Sequence, residues 1–280
     1  MFSTRVNSLR ASASAFLLLV CMAGADANSE APPSADGIVQ KLLARQKGNH
    51  AAAKEHPKRY AFTQRIVKEK LDAEGMVSAR EDLQYQVAPV NGILTPRLVL
   101  KNGKPPTPAD LKAEEERMKK ERREAEQRNR SRNEEEGVEF NEDLAAKYKY
   151  TLLGEATILG RTAYTIAFQP RSNDLPVNRR ADYVLNHVVG KAWIDREDFE
   201  LAKVELHLTE KASFWLGILG TLRDFSASFE QQRMPDGLWL PSHFTMHIDG
   251  RILFNSLRER QEGWWSDYYR LTQDATTKTK

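Results

Sequence analysis

From residue 59 onward the chain is dominated by segments in which apolar and polar residues alternate, most of them separated by very short turns. A period of two puts successive side chains on opposite sides of a strand, so each segment asks for one dry face and one wet face. In "MVSAREDLQYQVAPV", Val77, Ala79, Leu83, Tyr85 and Val87 share one side, while Ser78, Arg80, Asp82, Gln84 and Gln86 share the other. "RYAFTQRIVKEKL" precedes it across the glycine-containing turn "DAEG", which predicts a hairpin, and "PRLVLKNGKPP" adds a third strand. "YKYTLLGEATILGRTAYTIAFQP" reads as a meander with Gly160 at its second turn and Tyr164, Ile166 and Phe168 on one face. "HVVGKAWID" and "FELAKVELHLTE" form a hairpin about "DRED", with Ala202, Val204, Leu206 and Leu208 on the dry side. "LWLPSHFTMHI", "RILFNSLRERQ" (introduced by a turn at Asp249-Gly250) and "WWSDYYRL" complete the series. Roughly ten strands joined this way predict one antiparallel sheet, and a sheet that wide curls into a barrel or half-barrel rather than lying flat.

Helical periodicity interrupts this pattern in few places. "DGIVQKLLARQ" spaces Ile38, Val39, Leu42 and Leu43 along one side of a helix with Asp36 as its N-cap, predicting an amphipathic helix on the concave side of the sheet. "NEDLAAKY" reads as a short helix, and residues 171–186 as a loop. At Thr107 the composition turns abruptly to "TPADLKAEEERMKKERREAEQRNRSRNEEEG". Thr107 is an N-cap, Pro108 takes the first helical position and Asp110 completes a capping box. Glu115/Lys119, Glu116/Lys120, Glu124/Arg128 and Glu126/Arg130 are i,i+4 pairs, whereas Leu111, Met118 and Ala125 form a stripe too thin to drive burial. This predicts a solvated helical insertion over 107–136, with a docking arm for a partner protein as the alternative. Its bases are matched by acids, which argues against nucleic acid.

The ends restrict the compartment. Arg5 and Arg10, the apolar run Ala15–Met22 and Ala25-Asp26-Ala27 read as a secretory signal peptide over 1–27, the run being too short to span a bilayer. Residues 28–35 form a leader, 36–271 a single domain and 272–280 a disordered polar tail. Cys21 is the single cysteine, and the bulky Val20 before it argues against lipidation, so the exported chain has no disulfide, thiolate nucleophile or thiolate metal site. Removing Arg5, Arg10 and Asp26 lowers the formal charge from +3 by one, to +2, without the basic excess of a nucleic-acid binder. The expected setting is outside the cytoplasm, with no integral membrane span.

Motifs for chemistry are weak. His243 and His247 share a strand face but stand about 13 Å apart, too far to chelate one metal. No G-x-S-x-G elbow and no glycine-rich phosphate loop occurs, and no carboxylate pair is singled out. No metal, cofactor or catalytic residue is expected. The tryptophans are more informative: Trp193, Trp215, Trp239, Trp264 and Trp265 all lie in the C-terminal strands. Trp239 alternates with Leu238 and Leu240, placing it with His243 and His247 on a face opposite Phe244, Met246 and Ile248; it either packs under a loop or rims an apolar cavity.

"KASFWLGILGTLRDFSASFE" is the most apolar part of the domain. Its charge-free run from Ala212 to Leu222 is too short for a membrane helix, and Gly217 and Gly220 suit a bent strand. As one curved strand it puts Phe214, Leu216, Ile218 and Leu222 on one face and Trp215, Leu219, Phe225 and Phe229 on the other.

The order of features, with "GKAWID" followed by "LAKVE", "DGLWLPSHFTM" and the ending "GRILFNSLRERQEGWWSDYYRL", resembles the LolA/LolB-like superfamily, and more closely exported proteins labelled outer-membrane lipoprotein-sorting-like. The likeness spans residues 36–271, the charged helix being an added element. It implies an α+β, mainly β fold: a half-open antiparallel barrel whose apolar concave side is lidded by helices and holds lipoprotein acyl chains. The expected function that goes with this resemblance is non-enzymatic binding or carriage of a lipid-like ligand or lipoprotein acyl chain in the periplasm of a Gram-negative-type bacterium, with only peripheral, transient membrane contact. Phe214, Leu216, Ile218, Phe244 and Met246 would line the cavity, and the Ile38/Leu42 helix would serve as lid. The alternatives are an envelope structural or sensor protein that binds other proteins through the charged helix, and a hydrolase without a familiar motif.

Overall fold

The computed structural model describes residues 33–55, 59–90, 93–130, 140–172, 175–177, 182–214, 220–252 and 255–271. The elements run α1 (Ala35–Glu55), β1 (Tyr60–Leu71), β2 (Val77–Val90), β3 (Ile93–Lys101), α2 (Pro108–Arg130), α3 (Glu142–Ala146), β4 (Tyr148–Ile158) and β5 (Arg161–Pro170). They continue as α4 (Asp182–Leu185), β6 (Val188–Asp195), β7 (Leu201–Leu208), β8 (Ala212–Phe214), β9 (Gly220–Arg233), β10 (Trp239–Ile252) and β11 (Asn255–Arg270). All belong to the compact unit Ser34–Lys280. The strands make one 11-stranded antiparallel sheet in the order β3-β2-β1-β11-β10-β9-β7-β6-β5-β4, with β8 beside β9. β3 and β4 remain separate edges, so the sheet is a curved half-open barrel, as the wide alternating array predicts.

Local chemistry explains the path. Asn102-Gly103 (φ 51° and 75°) and Leu159-Gly160 (φ 49° and 79°) carry the paired positive φ of tight hairpin turns. Thr107 and Asp110 form the expected capping box: the Asp110 amide donates to Thr107 Oγ1 at 3.2 Å and the Thr107 amide to Asp110 Oδ2 at 3.0 Å. α2 and α3 fall between the strands of the two sheet edges, β3 and β4, after which the chain winds back until β11 pairs with β1.

Three stretches depart from the expected strand pattern. β4 runs unbroken through Gly154, which sits at a register shift (φ 129°) instead of a turn. β10 likewise continues through Asp249-Gly250, because Gly250 is packed in the sheet with the Thr221 carbonyl 2.7 Å from where a Cβ would stand; β10 and β11 are instead connected at 253–254, outside the described residues. The stretch 211–230 is not one curved strand. Ala212 pairs with Leu222 and Phe214 with Gly220, so the chain doubles back, with β8 and β7 both pairing β9. By register Phe214 and Leu222 still hold same-face positions, and Leu216 and Ile218 lie outside the described residues.

Residues directly opposite in an antiparallel pair share a face. One row on the concave, helix-bearing face therefore runs Leu152, Ile166, Ala192, Val204, Phe229, Phe244, Gly263, Ile66 and Leu83 across nine strands. α1 covers its β4–β7 end, where Ile38, Val39, Leu42 and Leu43 pack with Ala145, Tyr164, Ile166 and Ile194. A second cluster under α4 joins Val184 to Val188, Leu206, Leu208, Ala212, Leu222 and Phe225. A third, around Leu83, Tyr85, Val87 and Leu98, holds the β1–β3 end. Burial pushes the Tyr148 hydroxyl up to about 12, and it donates to the Leu185 carbonyl at 2.6 Å, tying β4 to α4.

Candidate ligand-binding trough

Between these clusters the concave face is apolar but incompletely covered. Val204 on β7, Ala227 and Phe229 on β9, Phe244, Met246 and Ile248 on β10 and Trp265 on β11 are all half-buried, and Leu206 and Phe225 lead from them into the cluster under α4. Their alignment follows from register: Phe244 faces Phe229, Met246 faces Ala227 and Ile248 faces Phe225. Phe244 also packs on Trp265, with ring centroids 5.7 Å apart. Gly263, opposite Phe244, leaves room for that ring: a Cβ there would sit 2.6 Å from Phe244 Cδ1. Gly190 does the same for Phe168, whose Cζ would lie 2.6 Å from an added Cβ. One step further along β11 the row turns polar, since Met246 faces Gln261, which faces Lys68, which faces Glu81. The trough is thus an apolar floor with a polar margin, the arrangement that holds a chain-like apolar ligand while its end remains wet.

α2 is tethered beyond that margin by polar groups. Glu114, 9% exposed, accepts from Arg117 Nε at 2.9 Å and Nη2 at 2.5 Å, and Arg117 also reaches the Tyr85 hydroxyl at 3.5 Å. Burial pushes the Glu114 carboxyl up, but the hydrogen bond and charge of Arg117 outweigh it and hold the group below its ordinary range. Burial, reinforced by the Glu114 charge, pushes the Tyr85 hydroxyl far above its ordinary range. Tyr85 lies two strands from Trp265 on the same face, through Gln64. The sequence stripe Leu111/Met118 is not the buried contact: Leu111 is 47% exposed and Met118 half-buried, whereas Glu114 is the buried residue among those described in α2. A helix that looks solvated from its sequence instead sets an internal ion pair, Glu114 with Arg117, against the Tyr85 hydroxyl of the sheet.

The residues expected to line the cavity separate into groups. Phe244 and Met246 stand side by side on the trough floor. Ile38 and Leu42, at 0% and 4% exposure, lie inside the helix–sheet core over β4–β7, not against β10. Phe214 contributes a backbone pairing with Gly220, its side chain lying outside the described residues together with Leu216 and Ile218. Phe229 and Trp265 had no place in the sequence-based cavity. Strict alternation set Phe225 and Phe229 opposite Leu222, but Asp249 pairs with Asp224 and Gly250 with Leu222, so a bulge at Arg223 reverses the phase. Gly263 was the available signal, a glycine inside a strand marking close approach of a neighbour.

A second bulge corrects Trp239. Pro241 faces Gln231 whereas His243 faces Glu230, so Trp239 is out of phase with His243. Its Nε1 donates to Asp198 Oδ2 at 3.0 Å and its ring lies 5.9 Å from the Arg161 guanidinium, packing it against the β6–β7 turn. His243 and His247 do lie on the outer face, beside Glu262 (2.9 Å) and Asp224 (3.2 Å). Among the described residues no group of three or more His, Cys, Asp or Glu is placed to hold a metal ion. No helix among them is long and apolar enough to cross a membrane.

No protein-family profile and no curated protein sequence matches the chain. Solved structures that resemble it include a LolA superfamily protein from Nitrosomonas europaea, 12% identical over 86% of this chain and 94% of that one, with a TM-score of 0.31. An outer membrane lipoprotein-sorting protein domain from Vibrio parahaemolyticus is 13% identical over 86% and 97%, with a TM-score of 0.32. The MucA/MucB complex of Pseudomonas aeruginosa contains a chain 12% identical over 84% and 99%, with a TM-score of 0.24. Likenesses at this level carry no argument about function, which rests here on the side chains of the trough.

Proposed function

We propose that this protein is an exported, non-catalytic binder or carrier of a lipid-like ligand, whose acyl chain lies along the β7–β11 trough with its polar end toward Gln261 and Lys68. The observation behind this reading is the half-buried strip Phe229, Phe244, Met246, Ile248 and Trp265, left between the three packed clusters of an unclosed sheet. A buried acyl chain gains about 0.8 kcal/mol per methylene, so affinity for a homologous series should rise about fourfold per added carbon. The test is uptake of a fluorescent fatty acyl probe by the wild type and by Phe229→Ser and Met246→Glu, with thermal unfolding as the check on folding. Uptake that weakens at least about tenfold in both folded variants supports the proposal, since each loses the apolar contact of a large side chain. A wild type that takes up no probe, or variants that bind it as well as the wild type, would overturn it.

A further inference from the structure

Lys211, Thr221, Arg223 and Arg251 line a cavity of about 250 Å³ where β8, β9 and β10 meet. Thr221 faces Ser213 on β8 and Arg251 on β10, while the next pair, Leu222 and Gly250, belongs to the trough side. Thr221 and Arg251 therefore lie on the outer face, away from the acyl site. The three cations are exposed. Arg223 lies 3.1 Å from Asp249 Oδ1, an oxygen that is also 3.5 Å from Arg258 Nε. Among the described residues no carboxylate forms an ion pair with Lys211 or Arg251. One shared carboxylate thus stands against three cations and a hydroxyl around a concavity with ample room for a phosphate group. Forked guanidinium donors and an ammonium match the oxygens of a phosphate group.

The sequence beside the cavity indicates what carries that phosphate. Phe214 pairs with Gly220 and Ile252 with Asn255, so the β8–β9 and β10–β11 connections both leave the sheet at this corner. Residues 215–219 read Trp-Leu-Gly-Ile-Leu and residues 253–254 read Leu-Phe, without a charge. The site itself consists of Lys211, Thr221, Arg223 and Arg251. Uncharged, apolar connecting sequence suits a bilayer surface, where phosphate stands beside hydrocarbon, better than capture of a free anion. The geometry points to a docking site for the phosphate headgroup of an anionic lipid at a membrane surface. It goes beyond carriage in the trough, and because it lies on the opposite face either site can fail without the other.

The test is co-sedimentation of the protein with vesicles of phosphatidylcholine alone and of phosphatidylcholine mixed with phosphatidylglycerol. Wild-type protein should prefer the anionic vesicles, and added salt should weaken that preference. Each neutralised cation should weaken binding about fivefold, so Lys211→Gln with Arg251→Gln should lose about 25-fold while acyl-probe uptake and thermal unfolding stay unchanged. Equal binding to both vesicles, or a double variant that binds like the wild type, overturns the proposal. Displacement from vesicles by inorganic phosphate at millimolar concentration would assign the four residues to free phosphate and overturn the lipid source.

Discussion

Two rows one residue apart on the same strands show what each face of this sheet is for. The concave row from Leu152 to Leu83 is apolar, with Gly263 standing where Phe244 needs room. The outer row runs Trp193, Lys203, Glu230, His243, Trp264 and Arg65. There Lys203 lies 5.3 Å from the Trp193 ring and 3.0 Å from Glu230, and Arg65 lies 5.3 Å from the Trp264 ring while pairing with Asp82. Hydrophobic burial scales with area removed from water, so the first row carries the stability of the fold. Solvent screens the second, whose contacts order side chains more than they hold the sheet.

The difference can be broken at its strongest point. Ile166, 1% exposed beneath α1, should cost about 4 kcal/mol when changed to alanine, because the helix–sheet core cannot collapse around the void. Urea unfolding measures this, and a loss below about 1 kcal/mol would mean that α1 is loosely seated.

Asp195 is the exception on the outer side and the next largest effect. Its side chain is 1% exposed, and it accepts from Arg161 at 2.7 and 2.8 Å and from the Glu197 and Asp198 amides at 3.0 and 2.8 Å. Burial pushes its carboxyl up, but the Arg161 hydrogen bonds and these amides outweigh it and hold it below its ordinary range. A depressed folded-state pKa contributes stability above the ordinary carboxylate value and loses it as pH falls through the folded value. Asp195→Asn should cost about 3 kcal/mol at neutral pH, and the gap from wild type should narrow below about pH 4, as unfolding midpoints across pH would record.

Smaller changes sharpen the contrast. Gly263→Ala must push the Phe244 ring off its seat, costing about 2 kcal/mol and changing acyl-probe affinity; unchanged affinity would detach Phe244 from the ligand site. Lys203→Met, in the neighbouring row, should stay within about 1 kcal/mol of wild type and leave the probe bound as before.

Alternation made much of this legible in advance. The β1–β2 and β6–β7 hairpins and the capped helix at Thr107 follow from period, turn residues and capping chemistry, all local properties of the chain. The trough was only half legible: Phe244 and Met246 follow from the phase of their own strand, but Phe229 and Trp239 do not. Each bulge inserts one unpaired residue and flips everything beyond it, and its position depends on the partner strand rather than on the bulged sequence. Glu114 was hidden for a related reason, since an acid on a charged helix reads as solvated until Tyr85 and Arg117 are seen around it.

The sequence by itself determined that this chain makes one wide antiparallel sheet with a dry and a wet face, because side-chain period and turn chemistry act within a few residues. Only the tertiary structure decided which residues meet on the dry face. The doubling back of 211–230, the bulges at Arg223 and Pro241–His243 and the rings seated over Gly190 and Gly263 are settled between strands far apart in the chain, where register and close packing outweigh local preference.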